Sequence, residues 1–125
     1  MGVSIYYTAT RKQRISSIER EAIDAAIARF SVDHQVEEYL KTGNGLNWVG
    51  FGVYDPAEPT EADAVFEGAT KMPSNTEDAI WVGIQHWCKL LTEIRLQLLG
   101  ASWRVNVDDH DIVWDSKSNS YDPSL

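Results

Sequence analysis

The sequence predicts an α+β two-layer sandwich, in which an antiparallel sheet of four or five strands carries two main helices on one face. Three observations support this. Val3–Thr10 (VSIYYTAT) is rich in β-branched and aromatic residues, the side chains that suit a pleated, half-buried surface. Two later stretches, opening at Ser16 and Ser74, each place a glutamate three residues after a serine and then repeat apolar residues every three or four positions. Between and after them lie further short apolar runs bounded by turn-forming residues. The resulting order, β-α-β-β-α-β with a short final strand, matches the ferredoxin-like arrangement.

The first strand, Val3–Thr10, leads into Arg11, Lys12 and Arg14, the one concentrated basic patch. These three read first as a solvated loop. Their functional alternative is an anion-binding site at the helix N-terminus that follows. That helix starts at Ser16 with Glu19 completing the capping box. Its apolar face is Ile18, Ala22, Ile23, Ala26, Ile27 and Phe30. His34–Lys41 forms a shorter helix, closed by Gly43 and Gly45.

Leu46–Tyr54 (LNWVGFGVY) reads as the second strand, with Trp48, Gly50, Gly52 and Tyr54 on one face and Val49, Phe51 and Val53 on the other. Two glycines on one face permit the close approach of another backbone, an aromatic ring or a ligand. Asp55–Asp63 is an acidic loop with two prolines, and Ala64–Met72 reads as the third strand. The long helix then runs from a Ser74 cap, with Glu77 at the capping-box position, to Gly100. Ile80, Ile84, Trp87, Leu91, Ile94 and Leu98 form its apolar stripe. A second apolar line, Trp81 with Cys88 and Leu99, asks for another partner. Ser102–Val107 and Ile112–Asp115 read as the last strands, joined by the polar turn Asp108–Asp111. Residues 1–115 are expected to form one domain, and residues 116–125 a loose tail.

Composition narrows the function classes. Nineteen acidic residues against eleven basic ones give a net charge of −8, which repels a phosphate backbone and favours cationic partners, so nucleic acid is not an expected partner. The single cysteine, Cys88, excludes an internal disulfide and suits a reducing compartment. The opening residues lack the basic segment and apolar run of a secretion signal. No apolar run reaches the roughly eighteen residues that span a bilayer, so a cytoplasmic location without a membrane partner is expected.

No catalytic motif is present: the chain contains no glycine-rich phosphate loop, no HExxH and no CxxC. His86 and Cys88 stand two apart on a helix and face different directions, which precludes a thiolate–imidazolium pair. Asp108, Asp109, His110 and Asp111 are dense in metal-type ligands, yet adjacent residues cannot all face one ion, and they read as a turn. No metal or cofactor is therefore expected, and the reading leans away from an enzyme.

Five tryptophans are the informative excess, because tryptophan buries a large area at little conformational cost in binding hot spots. Those nearest acids are Trp48, beside Tyr54 and the loop carrying Asp55, Glu58, Glu61 and Asp63, and Trp114, beside Asp108, Asp109 and Asp111. These residues are the predicted partner-binding set. The expectation is an acidic protein-binding module, of the inhibitor or immunity type, that neutralises a basic, nuclease-like protein. The alternatives are a small-molecule binder or enzyme using a cleft between sheet and helices, and a self-associating component that forms a homodimer.

Overall fold

The computed structural model describes residues 2–125 and has an α+β architecture. Strand β1 (Ser4–Thr10) is central, flanked by β2 (Ala64–Lys71) and by β3 (Ser102–Val107), which in turn pairs with β4 (His110–Asp111). All neighbours are antiparallel, with Tyr7 opposite Gly68 on one side and opposite Val105 on the other. Helices α1 (Ser17–Arg29) and α3 (Ala79–Gln97) pack on the face that displays Ile5, Tyr7 and Ala9. Trp87, Leu91 and Ile94 of α3 and Ile23 and Ala26 of α1 are fully buried there. Apolar burial of this kind is the dominant favourable term of such a fold.

Local signals explain most of these elements. The Ser16 side chain accepts from the Glu19 N–H, and Glu19 bonds back to the Ser16 N–H, so the first capping box forms as read. The short helix α2 (Asp33–Thr42) ends at Gly43, whose left-handed φ of +74° favours a residue without a Cβ.

Five expectations within residues 16–111 require correction. Leu46–Tyr54 forms no strand ladder, so the ferredoxin-like order is not established; the sheet's fourth strand is the two-residue β4 instead. Trp48 and Phe51, expected on opposite faces, both pack on Trp87, with ring centroids 6.0 and 5.3 Å away, which a flat period-2 strand does not allow. The long helix begins five residues after Ser74 and has no side-chain cap; Ser74 stands outside it, with its N–H donating at 2.7 Å to Asn47 Oδ1, which takes the place of the Glu77 carboxylate in the expected capping box. Ile18 lies 79% exposed, off the buried stripe of α1. The polar turn shrinks to Asp108 and Asp109, since His110 and Asp111 already pair with Val107 and Asn106.

The final stretch, expected to be loose, is instead held. Strand β5 (Val113–Asp115) pairs with β6 (Ser120–Asp122), placing Trp114 opposite Tyr121. Tyr121 is buried against α3, and its N–H donates to Thr92 Oγ1 at 3.0 Å. This hairpin lies over Cys88 alone of the second apolar line on α3, while Trp81 and Leu99 stay exposed.

Candidate functional site

The segment from Leu46 to Asp63 borders the free edge of β2. The Tyr54 N–H donates to the Glu67 carbonyl at 2.8 Å, the one main-chain bond that ties residues 46–54 to the sheet. Side chains do the rest. The Gly52 N–H donates to Thr70 Oγ1 at 3.0 Å, and the buried Tyr7 hydroxyl donates to the Gly52 carbonyl while sharing a 2.8 Å hydrogen bond with Thr70. Burial without a charged partner pushes the Tyr7 phenol well above its usual range, so it remains a neutral donor. Phe51 stacks on Tyr7 at 4.8 Å, nearly parallel. A Cβ on Gly68 would strike the Gly52 carbonyl, which explains the need for glycine at a central β2 position.

The acidic loop that follows is braced by its own residues. Asp55 Oδ1 accepts from the Ala57 N–H at 2.9 Å, and the Thr60 N–H and hydroxyl donate to the carboxylate of Glu67. Glu67, only 6% exposed, lies beneath the loop on the sheet face opposite the helices. Glu61 pairs with Arg104 at 2.7 Å, which lowers the glutamate's pKa and satisfies its charge. The Asp63 carbonyl accepts from the Arg11 N–H at 2.8 Å. Among the described residues, Asp55, Glu58 and Asp63 form no ion pair, and all three are exposed. Beside them Val49, Val53 and Tyr54 are 43%, 42% and 43% exposed.

The remaining predicted site residues lie elsewhere. Asp108, Asp109 and Asp111 are exposed on the β3–β4 hairpin, where the Asp108 N–H bonds to the Ser4 carbonyl at 3.2 Å. That is the opposite end of β1 from Asp63, about 20 Å away at strand rise. The two acid groups therefore form separate patches. Trp48 is half-buried against His86 and Trp87, and Trp114 is half-buried under Arg95, whose guanidinium lies 4.1 Å from the ring centre. Both tryptophans are spent on internal packing.

The basic trio is likewise divided. All five N–H donors of Arg11 are engaged, by both Glu19 oxygens and by the carbonyls of Gln13, Arg14 and Leu99. Arg11 and the Ser16 N–H hold the Glu19 carboxyl down to about 2. Lys12 and Arg14 point into solvent without ion pairs among the described residues. Arg11 is thus a structural brace with no donor left for an anion.

A concavity of about 540 Å³ opens between α3 and β6, lined by Trp81, Lys89, Glu93, Tyr121 and Asp122. Cys88 lines its floor, but burial raises the thiol to about 12, which leaves it unreactive at neutral pH. Among the described residues no group of three or more histidine, cysteine, aspartate or glutamate side chains converges to hold a metal ion. No helix among them is long and apolar enough to cross a membrane.

Sequence reasoning named Tyr54 and the loop acids but missed Val49, Val53 and the buried Glu67. Their signal was present in the Val-Gly-Phe-Gly-Val frame of residues 49–53, where bare backbone alternates with large apolar side chains. Comparison with family models, with curated proteins and with solved structures finds no match for this chain.

Proposed function

We propose that this protein is an acidic protein-binding module that recognises a basic protein, in the manner of an inhibitor or immunity protein acting in the cytoplasm. The observation that supports this reading is the juxtaposition at one sheet edge of unpaired Asp55, Glu58 and Asp63 with exposed Val49, Val53 and Tyr54. Unpaired carboxylates on a chain of net charge −8 speed the encounter with a cation-rich surface, and the adjacent apolar side chains supply area that loses water on contact. The Asp108–Asp111 patch lies at the far end and contributes by steering. At 0.1 M salt its field is largely screened over such a distance, the screening length being about 10 Å.

Affinity capture from the host's lysate at low and then high salt tests this, with mass spectrometry of the eluate. Release of a basic protein by salt is the expected result, and an empty column overturns the reading. Against the captured protein, Asp55→Lys with Glu58→Lys is expected to weaken binding about tenfold, on the order of 1.4 kcal/mol. At low salt, Asp108→Lys with Asp109→Lys is expected to slow association while leaving dissociation unchanged, because steering acts on the encounter rather than on the docked contacts, and the effect is expected to fade at 0.1 M salt.

The groove between α3 and β6 favours a second reading, a small-molecule binder, because it combines exposed Trp81 with Lys89 and Asp122 around a depression of ligand size. A metabolite screen by thermal shift distinguishes the two readings: a rise in Tm that Trp81→Ala abolishes supports the groove.

A further inference from the structure

The free edge beside β2 carries a property that goes beyond acidity. Gly52 and Tyr54 direct their N–H groups at Thr70 Oγ1 and at the Glu67 carbonyl of β2, whereas Phe51 and Val53 send no main-chain bond to it. Among the described residues, the main-chain N–H and C=O groups of Val49, Gly50, Phe51 and Val53 have no hydrogen-bond partner. This row is not slack. Phe51 is stacked into the core, the Asn47 N–H and side chain are clasped by Asn75 and Ser74, and the Asp55 turn fixes the other end. An edge ordered in advance gives up little conformational entropy when another strand joins it.

At the opposite edge, β4 covers only Asn106 and Val107 of β3, and among the described residues Ser102–Val105 of β3 have no strand partner on that side, where the Ile112 N–H bonds the Val105 carbonyl. The two residues of β4, His110 and Asp111, lie beside the exposed Asp108 and Asp109, and so short and charged a strand resists the addition of another. The 49–53 edge has neither device. Its flanks are acidic on both sides, with Asp55 and Glu58 following it and Glu77 and Asp78 lying just beyond Asn75. A second copy of this chain would bring another −8 charge to that edge, so like-charge repulsion opposes self-pairing and favours a cationic strand.

We propose that an extended, lysine- or arginine-bearing segment of the partner adds to the sheet as a strand along Val49–Val53. Main-chain hydrogen bonds to the unpaired groups supply affinity, and the flanking acids select for positive charge. The inference rests on the basic-partner reading above and specifies how that partner is held.

The test uses a seven-residue peptide of alternating lysine and valine, and the same peptide methylated on every backbone nitrogen. Both carry the same charge, but only the first can donate main-chain hydrogen bonds. Titration into ¹⁵N-labelled protein at low salt is expected to slow amide exchange at Phe51 and Val53 with the first peptide and not with the second. The second peptide is expected to bind at least about tenfold more weakly, the loss expected for two or three hydrogen bonds. Equal binding by both peptides without protection at 49–53 overturns strand addition while leaving acidic recognition standing. Binding by neither at low salt counts against the basic-partner reading itself, and the strand proposal falls with it.

Discussion

The two edges of the sheet are finished by opposite means. On the β4 side the chain pairs for two residues, turns at Asp108 and Asp109, and bends at buried Ile112 into the β5–β6 hairpin that leans on α3. On the β2 side nine residues run beside the sheet with a single main-chain bond to it, held from beneath by Tyr7, Thr70 and Phe51. The first edge is covered at its Asn106–Val107 end by a short, charged strand, and beyond it the Ile112 N–H bonds the Val105 carbonyl within the fold. The second edge is long, its flanking segment is anchored through side chains, and its backbone is left available. Attachment through side chains separates two properties that a regular ladder couples: a segment can be fixed in place without consuming its own hydrogen-bonding groups.

The most damaging way to break this contrast is Gly68→Ala. The added Cβ collides with the Gly52 carbonyl and crowds the Tyr7 ring, and backbone on one side leaves little room to yield. A loss of about 3 kcal/mol is expected in urea unfolding, accompanied by faster amide exchange at 50–54 while the pairing of Asn106 with Asp111 stays protected. Uniform loss of protection across both edges would show that the two sides are not separable.

Phe51→Ala is expected to cost about 2 kcal/mol, below the range for a fully buried phenylalanine because this residue is only partly buried. It removes the stack on Tyr7 and the contact with Trp87, so residues 46–54 should become accessible to limited proteolysis. Cleavage confined to that segment sharpens the comparison. No change in cleavage would mean that the Tyr7–Gly52 and Thr70–Gly52 bonds alone suffice.

The smallest effect is expected from acid. Glu19 has its pKa lowered from 4.5 to about 2, first by its bond to Arg11. A carboxyl depressed in the folded state adds stability that is complete above its unfolded pKa and is lost as pH falls through the folded one. The stability difference between wild type and Glu19→Gln should therefore shrink as pH drops from about 4.5 toward 2. Arg11 also ties its own N–H to the Asp63 carbonyl, so protection at the 54–63 end should fade in that window before β4 changes. A constant difference between the two proteins from pH 6 to 2 would remove the Arg11–Glu19 brace from this account.

Much of the fold was legible where a local rule sufficed. The strand at β1, the Ser16–Glu19 box, the Gly43 stop and the stripe of α3 each follow from neighbours within one turn or one pleat. What escaped depends on contacts far apart in sequence. The Ser74 N–H goes to Asn47, 27 residues away, rather than to Glu77, and the helix starts at Ala79 instead. The 46–54 ladder failed because Trp87 attracts both Trp48 and Phe51, and the tail docked because Arg95 offers a guanidinium to Trp114. For the candidate site, the acids of the 55–63 loop were readable as exposed charge. That Glu61 is neutralised by Arg104, and that Trp48 and Trp114 face inward, follows only from the assembled fold.

The lone cysteine gives the C-terminal hairpin a built-in gauge. The Cys88 carbonyl accepts from the Thr92 hydroxyl, which itself accepts from the Tyr121 N–H, so the hairpin and the cysteine's turn of helix are fastened by one shared side chain. With its thiol at about 12, Cys88 is a thiolate in roughly one molecule in 10⁵ at neutral pH, and it is covered as well. Alkylation at neutral pH therefore requires β5 and β6 to leave α3, and where reclosing outpaces the reagent its rate reports the population of that opened state, without any engineered label.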